Sequence, residues 1–362
     1  MMKRDERYMR LALRLARKGA ARSSASLLAG AVVVAGDRVV GQGASGPEPH
    51  AEAVAFALEE AGALSKGATL YANLIPEAAA AVVIRGRVSR VVIGDPNSAS
   101  LDQSVALASL RRAGVEVVTG VCEEQCREVN EAYYKYSATG LPFVTVKFAS
   151  TLDGRIATAT GDSQWISGPA SLRLAHQLRC RHDAIMVGIG TVLTDDPRLT
   201  VRLVNGRDPL RVVIDSHLRI PLTARVIAEG AAHRTLIAAT ERADRERAAE
   251  LEKLGAEILW LPASDFAPGV NLFEVLEALG RRRVSSLLVE GGAGIITSLL
   301  AGDLADRVVI AVAPKIIGRG VEAIGDLSIT RLRDAITFSS IKIRRLGPDV
   351  IFDGRLKKTT RA

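Results

Sequence analysis

The stretch from Phe143 to Arg202 constrains the fold of this 362-residue chain more than any other. Phe143 to Ser150 alternates apolar and small polar residues with many β-branched side chains, which predicts a strand, and Leu152-Asp153-Gly154 predicts a turn after it. A second strand is predicted over Ala184 to Val187, and it runs directly into a segment rich in Gly, Thr and Asp. Because ligands bind beyond the carboxyl ends of strands in open α/β sheets, these two strand ends predict a ligand cleft.

Length and composition predict two globular domains. A chain of 362 residues with 48% hydrophobic residues can bury two cores of ordinary size. No apolar run approaches the roughly 18 residues that a membrane span needs, and Met1 to Lys18 mixes charges into a helical pattern unlike that of a signal peptide. Cys122, Cys126 and Cys180 indicate no disulfide framework. We therefore expect a cytoplasmic protein without a membrane partner.

The net charge of +8 suits anionic ligands, although arginines scattered over an ordinary surface would give the same value. The basic residues are spread along the chain, with no block of like charges and no interleaved aromatic residues. Such a distribution is not typical of a nucleic-acid interface, so we expect no nucleic-acid partner.

The first part of the chain alternates strands and helices after an opening amphipathic helix over Arg7 to Lys18. Glu123 to Thr139 reads as one connecting helix, and Gly140-Leu141-Pro142 ends it. The domains predicted are therefore 1–140 and 141–362. The other elements predicted in the first domain are a hairpin of Leu28 to Val34 with Arg38 to Gln42, a helix from His50 to Glu60, strands Ala68 to Leu74, Val88 to Ile93 and Val115 to Val118, and a helix Val105 to Ala113.

The second domain repeats strand and helix, which predicts an α/β fold with a mainly parallel sheet. Two segments near its end, Phe338 to Arg345 and Val350 to Phe352, flank a Gly-Pro-Asp turn and predict an antiparallel hairpin at one edge. The other strands predicted are Leu210 to Asp215, Thr235 to Ala239, Glu257 to Leu261, Ser286 to Val289 and Val308 to Ala313.

A glycine-rich turn, Glu290-Gly291-Gly292-Ala293-Gly294, follows an apolar strand and opens a helix over Ile295 to Leu300. Glycines at such a junction let the backbone approach a pyrophosphate, and the start of the helix offers unpaired N–H groups to it. A turn of this kind is also common as a purely structural feature, and its spacing differs from the Rossmann fingerprint. By itself the turn leaves both interpretations open.

Taken in order, five motifs of the chain are T-L-D-G-R-I-A, S-Q-W-I, V-G-I-G-T-V, D-D-P-R-L-T-V-R and L-V-E-G-G-A-G. This order resembles the reductase half of the bifunctional riboflavin-biosynthesis deaminase/reductase family. The resemblance implies a cytidine-deaminase-like α/β/α domain followed by a dihydrofolate-reductase-like α/β domain that ends in an antiparallel hairpin. It also implies NADPH as cofactor and a sugar phosphate as the small-molecule substrate.

The resemblance further implies two sets of site residues. Those that match substrate-binding positions of the family are Ser163, Arg179, Leu199, Arg202 and Glu290. Those that match cofactor-contacting positions are Ser150, Trp165, Thr191, Asp195, Ser216, Gly292, Ala293 and Gly294.

The chemistry of these side chains suits the implied reaction. Arg179 and Arg202 can bind phosphate oxygens in pairs through their guanidinium groups. Hydride transfer needs no protein nucleophile, but opening the sugar ring of the substrate moves protons. Lys147, Asp195 and Glu290 are therefore the catalytic candidates, with Lys147 on sugar hydroxyls and the two carboxylates handling protons and orienting the ribose. A lone Trp165 either forms an apolar wall beside the cofactor or is ordinary core.

The zinc motif of the deaminase half is damaged. Zinc deaminases carry H-x-E before one helix and P-C-x-x-C before the next. His50 and Glu52 are present, but Glu77 replaces the first cysteine, no second cysteine follows, and Ser26 stands where the family has a base-binding Asn. We expect no metal, although His50, Glu52 and Glu77 could form a weak site without thiolates, or the pair Cys122 and Cys126 could have a metal role.

These observations give the hypothesis of an NADPH-dependent 5-amino-6-(5-phosphoribosylamino)uracil reductase that has lost deaminase activity. We expect a homodimer or a higher homo-oligomer. Two alternatives remain at the level of sequence. One is a paralogous reductase of another ribosylated heterocycle. The other is a non-catalytic binding protein, against which the undamaged reductase motifs argue.

Overall fold

The computed structural model describes residues 2–19, 27–45, 52–96, 103–228, 232–263 and 269–358. The chain folds into two compact units, Met1–Gly140 and Leu141–Ala362. None of the described helices is long and apolar enough to cross a membrane.

The first unit is an α/β layer structure built on a five-stranded sheet in the order β2-β1-β3-β4-β5. Strand β1 pairs antiparallel with β2 and β3, whereas β3, β4 and β5 are parallel. Its elements are α1 (Met2–Gly19), β1 (Gly30–Ala35), β2 (Arg38–Ala44), α2 (Glu52–Ala61), a 3-10 helix (Gly62–Ser65), β3 (Thr69–Ala72), α3 (Glu77–Arg85), β4 (Arg90–Ile93), α4 (Ser104–Arg112), β5 (Glu116–Thr119), α5 (Glu123–Val129) and α6 (Glu131–Thr139).

Glycines and one buried ion pair hold the helices of this unit against its sheet. A Cβ atom on Gly43 would lie 1.9 Å from the carbonyl oxygen of Ala53, so only glycine lets β2 pack this closely against α2. On the other face, Asp5 of α1 receives hydrogen bonds from Arg90 and Tyr71, each 2.9 Å long. This pair fixes α1 on the sheet, and Arg90 with Tyr71 lowers the pKa of Asp5 although burial opposes the shift.

The single helix predicted over Glu123 to Thr139 is wrong, because the chain breaks into α5 and α6 at Asn130. The Asn130 side chain accepts a hydrogen bond from Leu28 N at 2.7 Å and donates one to Leu28 O at 3.1 Å. The residue is 2% exposed, and its backbone leaves the helical region with φ −110°. A helix-breaking side chain is thus used to satisfy the backbone of a distant segment.

The second unit is built on a nine-stranded sheet in the order β11-β10-β9-β8-β12-β6-β13-β16-β15, with a separate ribbon of β14 and β7. Its helices are α7 (Pro169–Arg181), α8 (Ile189–Asp195), α9 (Arg245–Lys253), α10 (Leu272–Arg281) and α11 (Ala293–Ala301), with 3-10 turns at Ala232–Arg234 and Leu332–Asp334. Its strands are β6 (Phe143–Ser150), β7 (Arg155–Thr158), β8 (Ala184–Gly188), β9 (Leu210–Ile214), β10 (Thr235–Thr240), β11 (Glu257–Leu261), β12 (Ser286–Val289), β13 (Arg307–Val312), β14 (Gly320–Glu322), β15 (Phe338–Leu346) and β16 (Asp349–Leu356).

The predicted α/β fold class is confirmed, since every strand pair from β11 to β13 is parallel and the β15–β16 hairpin is antiparallel at one edge. The central strands are buried on both faces. In β8, Ala184 and Met186 pack into one apolar core, and Ile185 and Val187 pack into a second core on the other face. Strands buried on both faces are near-continuous apolar runs, as parallel sheets require.

The strand order places one reversal near the middle of this sheet. The chain passes from β6 to β8 and then outward through β9, β10 and β11, before β12 returns to lie between β8 and β6. Loops that leave neighbouring strands in opposite directions open a crevice at the carboxyl ends, where ligands bind in sheets of this kind. Strands β7 and β14, both missed from the sequence, form a short ribbon beside this edge.

Candidate functional site

A cleft of about 660 Å³ opens at the carboxyl ends of β8, β9 and β12. It is lined mainly by small and apolar groups, with a few polar side chains among them. Its lining residues are Ile156, Ala157, Gly161, Ser163, Gly188, Ile189, Gly190, Thr191, Thr194, Asp195, Ile214, Ser216, His217, Arg219, Gly269, Gly292, Ala293, Gly294, Ile295 and Val321. A concave, mostly apolar cleft with a few convergent polar groups is the usual form of a small-molecule site.

The glycine-rich turn forms one wall of this cleft. Gly292 is the residue before the first turn of α11, with extended backbone, so the first N–H groups of the helix are free of intrahelical partners. A Cβ atom added at Gly190 or Gly294 would meet nothing within 4 Å. The two glycines therefore leave open space beside a helix start, which suits the close approach of a diphosphate.

The turn after β9 also lines the cleft and carries the basic side chains among its described lining residues. Leu218 is buried and adopts φ +54°, which places the exposed His217 and Arg219 on either side of it. Asp215 fixes this turn by accepting a hydrogen bond from Ile220 N at 2.8 Å. The Ser216 hydroxyl accepts one from Val270 N at 3.1 Å, so it is already engaged within the protein.

Ser163 and Asp195 both line the cleft, and the hydroxyl of Ser163 lies 3.5 Å from Asp195 Oδ1. Desolvation raises the pKa of Asp195 above its ordinary value, and the hydrogen bond from Ser163 opposes that rise. The ribbon of β7 and β14 adds Ile156 and Val321 to the same side. Asp195 is thus a carboxylate on which a proton is easier to place than on an ordinary aspartate.

A charged cluster lies next to the glycine turn and is centred on an ion pair. The guanidinium of Arg179 donates to both oxygens of Glu290, with lengths of 2.9 and 2.7 Å, and both side chains are almost buried. Burial alone would raise the pKa of Glu290, but Arg179, with Lys147 and His176, holds it at about 2. Glu290 is therefore a permanent carboxylate at neutral pH.

Lys147 and His176 complete this cluster from β6 and α7. Burial lowers the pKa of Lys147, and Arg179 adds to the effect while Glu290 opposes it. Burial also lowers the pKa of His176, with help from Arg179 and Arg202. Lys147, His176 and Arg179 thus lie around the carboxylate of Glu290, and Asp208 adds a second carboxylate near Arg179.

A tight turn over residues 199–202 borders the cluster. Leu199 is buried with φ +54°, and Thr200 O accepts a hydrogen bond of 3.1 Å from Arg179 Nη1. Arg202 is exposed and bonds to Thr200 Oγ1 at 2.7 Å, and its pKa is lowered by burial of part of the side chain and by nearby Arg179 and Arg198. The lowered pKa of Arg202 shows that other positive charges lie close to it, and such a cationic surface is suited to an anion.

The structure brings most of the sequence-predicted residues to these two places. Six of the eight predicted cofactor residues line the cleft, and the catalytic candidate Lys147 lies beside Glu290 in the cluster. Two do not line it: Ser150 is buried in β6, and Trp165 is 68% exposed with its backbone oxygen bound by Lys315 Nζ at 2.6 Å. For these two residues the assignment to the cofactor stays a prediction.

The guanidinium of Arg179, which the resemblance assigns to the substrate, is bound within the protein, and its contact with the substrate stays a prediction. Its Nε and Nη2 atoms bind Glu290, and its Nη1 binds Thr200 O. The paired geometry that a phosphate would need is thus given to a carboxylate of the protein. The structure favours Arg202 over Arg179 as the residue whose side chain is open to an anion.

Three residues at these two places, His176, His217 and Arg219, were not predicted from the sequence. His176 precedes Arg179 by three positions on α7, so its place on the same helix face could have been read from the helical spacing. His217 and Arg219 follow Ser216 and flank Leu218, whose left-handed conformation places both of them in the lining of the cleft. Nothing in the local sequence signals that conformation for a leucine.

In the first unit, the described residues contain no group of three or more His, Cys, Asp and Glu side chains that could hold a metal ion. Glu77 begins α3 and is exposed. His50 and Ser26 lie outside the described residues, as does the side chain of Glu52. Burial raises the pKa of Cys122 and that of Cys126, and neither belongs to such a group among the described residues.

The second unit thus falls in the class of α/β domains with a concave cleft at the carboxyl ends of parallel strands. Residues 142–352 match the family model described as RibD C-terminal domain. The chain is 39% identical over 359 residues to the riboflavin biosynthesis protein RibD of Aquifex aeolicus, covering 96% of this chain and 97% of that protein. It belongs to the RibD family of riboflavin-biosynthesis enzymes.

Two solved structures agree with this membership. RibD of Acinetobacter baumannii superposes with a TM-score of 0.79 at 28% identity, covering 99% of this chain and 100% of that one. A diaminohydroxyphosphoribosylaminopyrimidine deaminase/5-amino-6-(5-phosphoribosylamino)uracil reductase of Thermotoga maritima superposes with a TM-score of 0.77 at 30% identity, covering 98% and 99%. The expected family and the expectation of a reductase enzyme in riboflavin biosynthesis are confirmed.

The Arg179–Glu290 pair generates a prediction about stability. Glu290→Gln should lower the free energy of unfolding by about 3 kcal/mol at pH 7, because Arg179 would stay buried without its counter-charge. Since the pKa of Glu290 is depressed in the folded state to about 2 from 4.5, its stabilisation is present above about pH 4.5 and is lost as the pH falls toward 2. We therefore expect the difference in free energy of unfolding between wild type and Glu290→Gln to decrease from pH 7 to pH 3. Unfolding by guanidinium chloride at each pH measures it.

The matched control for this experiment is Glu252→Gln, which removes an exposed carboxylate on α9. Its effect should stay within about 0.5 kcal/mol at every pH, as is usual for surface substitutions. A difference between wild type and Glu290→Gln that does not change with pH would contradict the assignment of the depressed pKa to this pair.

Proposed function

We propose that this enzyme reduces 5-amino-6-(5-phosphoribosylamino)uracil to its ribityl form with NADPH. The observation that carries the proposal is the position of the glycine-lined cleft beside a buried cationic cluster, with Glu290 and Gly292 two residues apart at their junction. A dinucleotide and a phosphorylated sugar would then meet at this junction. The Thermotoga maritima relative, whose name includes this reductase activity, covers almost the whole chain.

The residues of the cleft fit the parts of NADPH. The start of α11 and the open space at Gly190 and Gly294 suit its diphosphate. The basic side chains among the described lining residues are His217 and Arg219, which suit the 2′-phosphate that distinguishes NADPH from NADH. NADPH would supply the hydride, and the protein would orient the two reactants and exclude water.

The cluster would bind and orient the sugar. Glu290 stays ionised because of Arg179, so in our proposal it accepts hydrogen bonds from ribose hydroxyls and does not donate a proton. Lys147, which lies on β6, would donate hydrogen bonds to the same hydroxyls. Asp195, whose pKa is raised, is the better candidate for passing a proton to the ring oxygen as the C1′–O bond opens. Arg202 would hold the 5′-phosphate at the exposed side.

We propose that the first unit is a deaminase-like domain that no longer deaminates. Glu77, in the position of the first zinc-binding cysteine, supports this proposal. The absence of any cysteine between Glu77 and Cys122 supports it as well. The domain would then contribute to folding or to subunit contact. We also propose that the protein forms a homodimer or a higher homo-oligomer. It would be located in the cytoplasm and would bind no nucleic acid.

The activity itself gives the most direct test. With the deaminated ribosylaminouracil phosphate as substrate, the protein should oxidise NADPH, measured as loss of nicotinamide absorbance, and the product should carry an open ribityl chain. A paralogous reductase would instead turn over another ribosylated heterocycle and leave this substrate unchanged. Binding of NADPH and substrate without turnover of either kind would favour a non-catalytic binding protein.

Arg219 gives a test of cofactor choice. Arg219→Ala should weaken NADPH binding about tenfold or more while leaving NADH binding unchanged, because only NADPH has the 2′-phosphate that the guanidinium would contact. Fluorescence titration of both dinucleotides measures the effect. Arg173→Ala, which removes an exposed arginine of α7 that does not line the cleft, controls for the change in net charge. Equal weakening of both dinucleotides would place Arg219 away from the 2′-phosphate.

The proposal for the first unit predicts little zinc and no ammonia. In zinc deaminases the metal lowers the apparent pKa of its bound water to about 7, and thiolate and imidazole ligands fix the open tetrahedral site; with Glu77 at the position of the first cysteine this ligand set is incomplete. Elemental analysis of the purified protein should find well under one zinc per chain, and the diamino substrate should release no ammonia. Stoichiometric zinc together with ammonia release that stops on Glu52→Ala would show that the domain is an active deaminase.

A further inference from the structure

His176 is a buried histidine to which the proposed chemistry gives no role. It lies on α7 and is 1% exposed. Its Nδ1 atom accepts a hydrogen bond of 3.0 Å from the backbone N–H of Arg202. A backbone N–H that is held by a histidine ring, 26 residues away, is a specific contact between the helix and the turn that carries the exposed arginine.

Each of the last three residues of that turn forms a hydrogen bond with a residue outside the turn. Thr200 O accepts from Arg179 Nη1, Val201 N donates to Asp208 Oδ1 at 2.6 Å, and Arg202 N donates to His176. Leu199, at the start of the turn, is buried with φ +54°, a conformation that an L-residue keeps only when its surroundings impose it. Of these three hydrogen bonds, the one to His176 is the nearest to the Arg202 side chain.

The hydrogen bond sets the protonation state of the ring. Because Nδ1 accepts, it carries no proton, so the ring is neutral with its proton on Nε2. The charged groups around it favour the same state: Arg179, Arg202 and Lys147 lower the pKa of His176 after burial itself, and only Glu290 opposes them. A protonated ring would lose the contact to Arg202 and add one more positive charge to the cluster.

We propose that His176 is a positioning residue for anion binding, whose neutral ring holds the Arg202 backbone so that its guanidinium faces the phosphate of the substrate. The proposal rests on the proposed function in one respect, the binding of a sugar phosphate at Arg202. It assigns no chemical step to His176. The ring acts through the turn, and its effect should therefore fall on substrate binding and not on the rate of hydride transfer.

Two substitutions separate the hydrogen bond from simple packing. In His176→Asn, Oδ1 stands at the position of Nδ1 and can accept from Arg202 N. His176→Leu keeps an apolar side chain of similar reach but offers no acceptor. His182 provides the matched control, since it is also buried at the end of α7 but contacts Leu178 O and Thr145 Oγ1.

Calorimetric titration with ribose 5-phosphate measures the effect directly. His176→Leu should weaken its binding about tenfold, the size expected for one lost hydrogen bond, whereas His176→Asn should stay within about threefold of wild type. His182→Leu should lower the melting temperature without changing this affinity. With the full substrate, His176→Leu should raise KM by a similar factor and leave kcat nearly unchanged.

The possible results distinguish this proposal from the one on which it rests. If Arg202→Ala leaves the affinity for ribose 5-phosphate unchanged, the anion binds elsewhere and the placement of the phosphate is wrong. If Arg202→Ala weakens binding but His176→Leu does not, the phosphate is correctly placed and His176 has no positioning role. If both His176 variants weaken binding equally, the ring acts by packing and the acceptor role is overturned.

Discussion

The ion pair of Arg179 and Glu290 is the interaction on which the second unit's site depends. It joins the last turns of α7 to the carboxyl end of β12, two elements separated by more than a hundred residues of sequence. Through Thr200 O the same guanidinium also fastens the turn that ends at Arg202. Substituting only one partner of such a pair leaves the other as an unpaired buried charge, which destabilises the fold. Structure and site are therefore maintained by the same two residues.

Much of the fold could be predicted from local patterns. The bounds of β6, Phe143–Ser150, follow directly from its alternation, and the parallel strands follow from short apolar runs between helices. The break at Asn130 could not be predicted, because the partner that stabilises it, Leu28, lies 102 residues away. The ribbon of β7 with β14 pairs segments that are similarly distant. Long-range pairing decides these elements, and local propensity does not contain it.

The candidate site divides in the same way. Residue types with specific chemistry, such as Glu290 and Arg202, stand out within motifs, so their involvement could be predicted before their contacts were known. Their partners could not. For Arg179, whose guanidinium suits a phosphate, the paired hydrogen bonds to the carboxylate of Glu290 were not predicted. His176 has no motif of its own, and only the distance to Arg202 N reveals its contact.

The charge balance of the cluster explains why it suits an anion. Lys147 and Arg179 lie near the carboxylate of Glu290, the exposed Arg202 lies near Arg179 and Asp208, and burial already depresses the pKa of Lys147. Keeping excess positive charge out of water is unfavourable in the folded protein. A bound phosphate would supply the missing negative charge and raise the pKa of Lys147 again, since an opposite charge nearby favours the ionised form. In the proposed function, the burial of Lys147 beside Arg179 in the free enzyme would therefore favour the binding of a sugar phosphate.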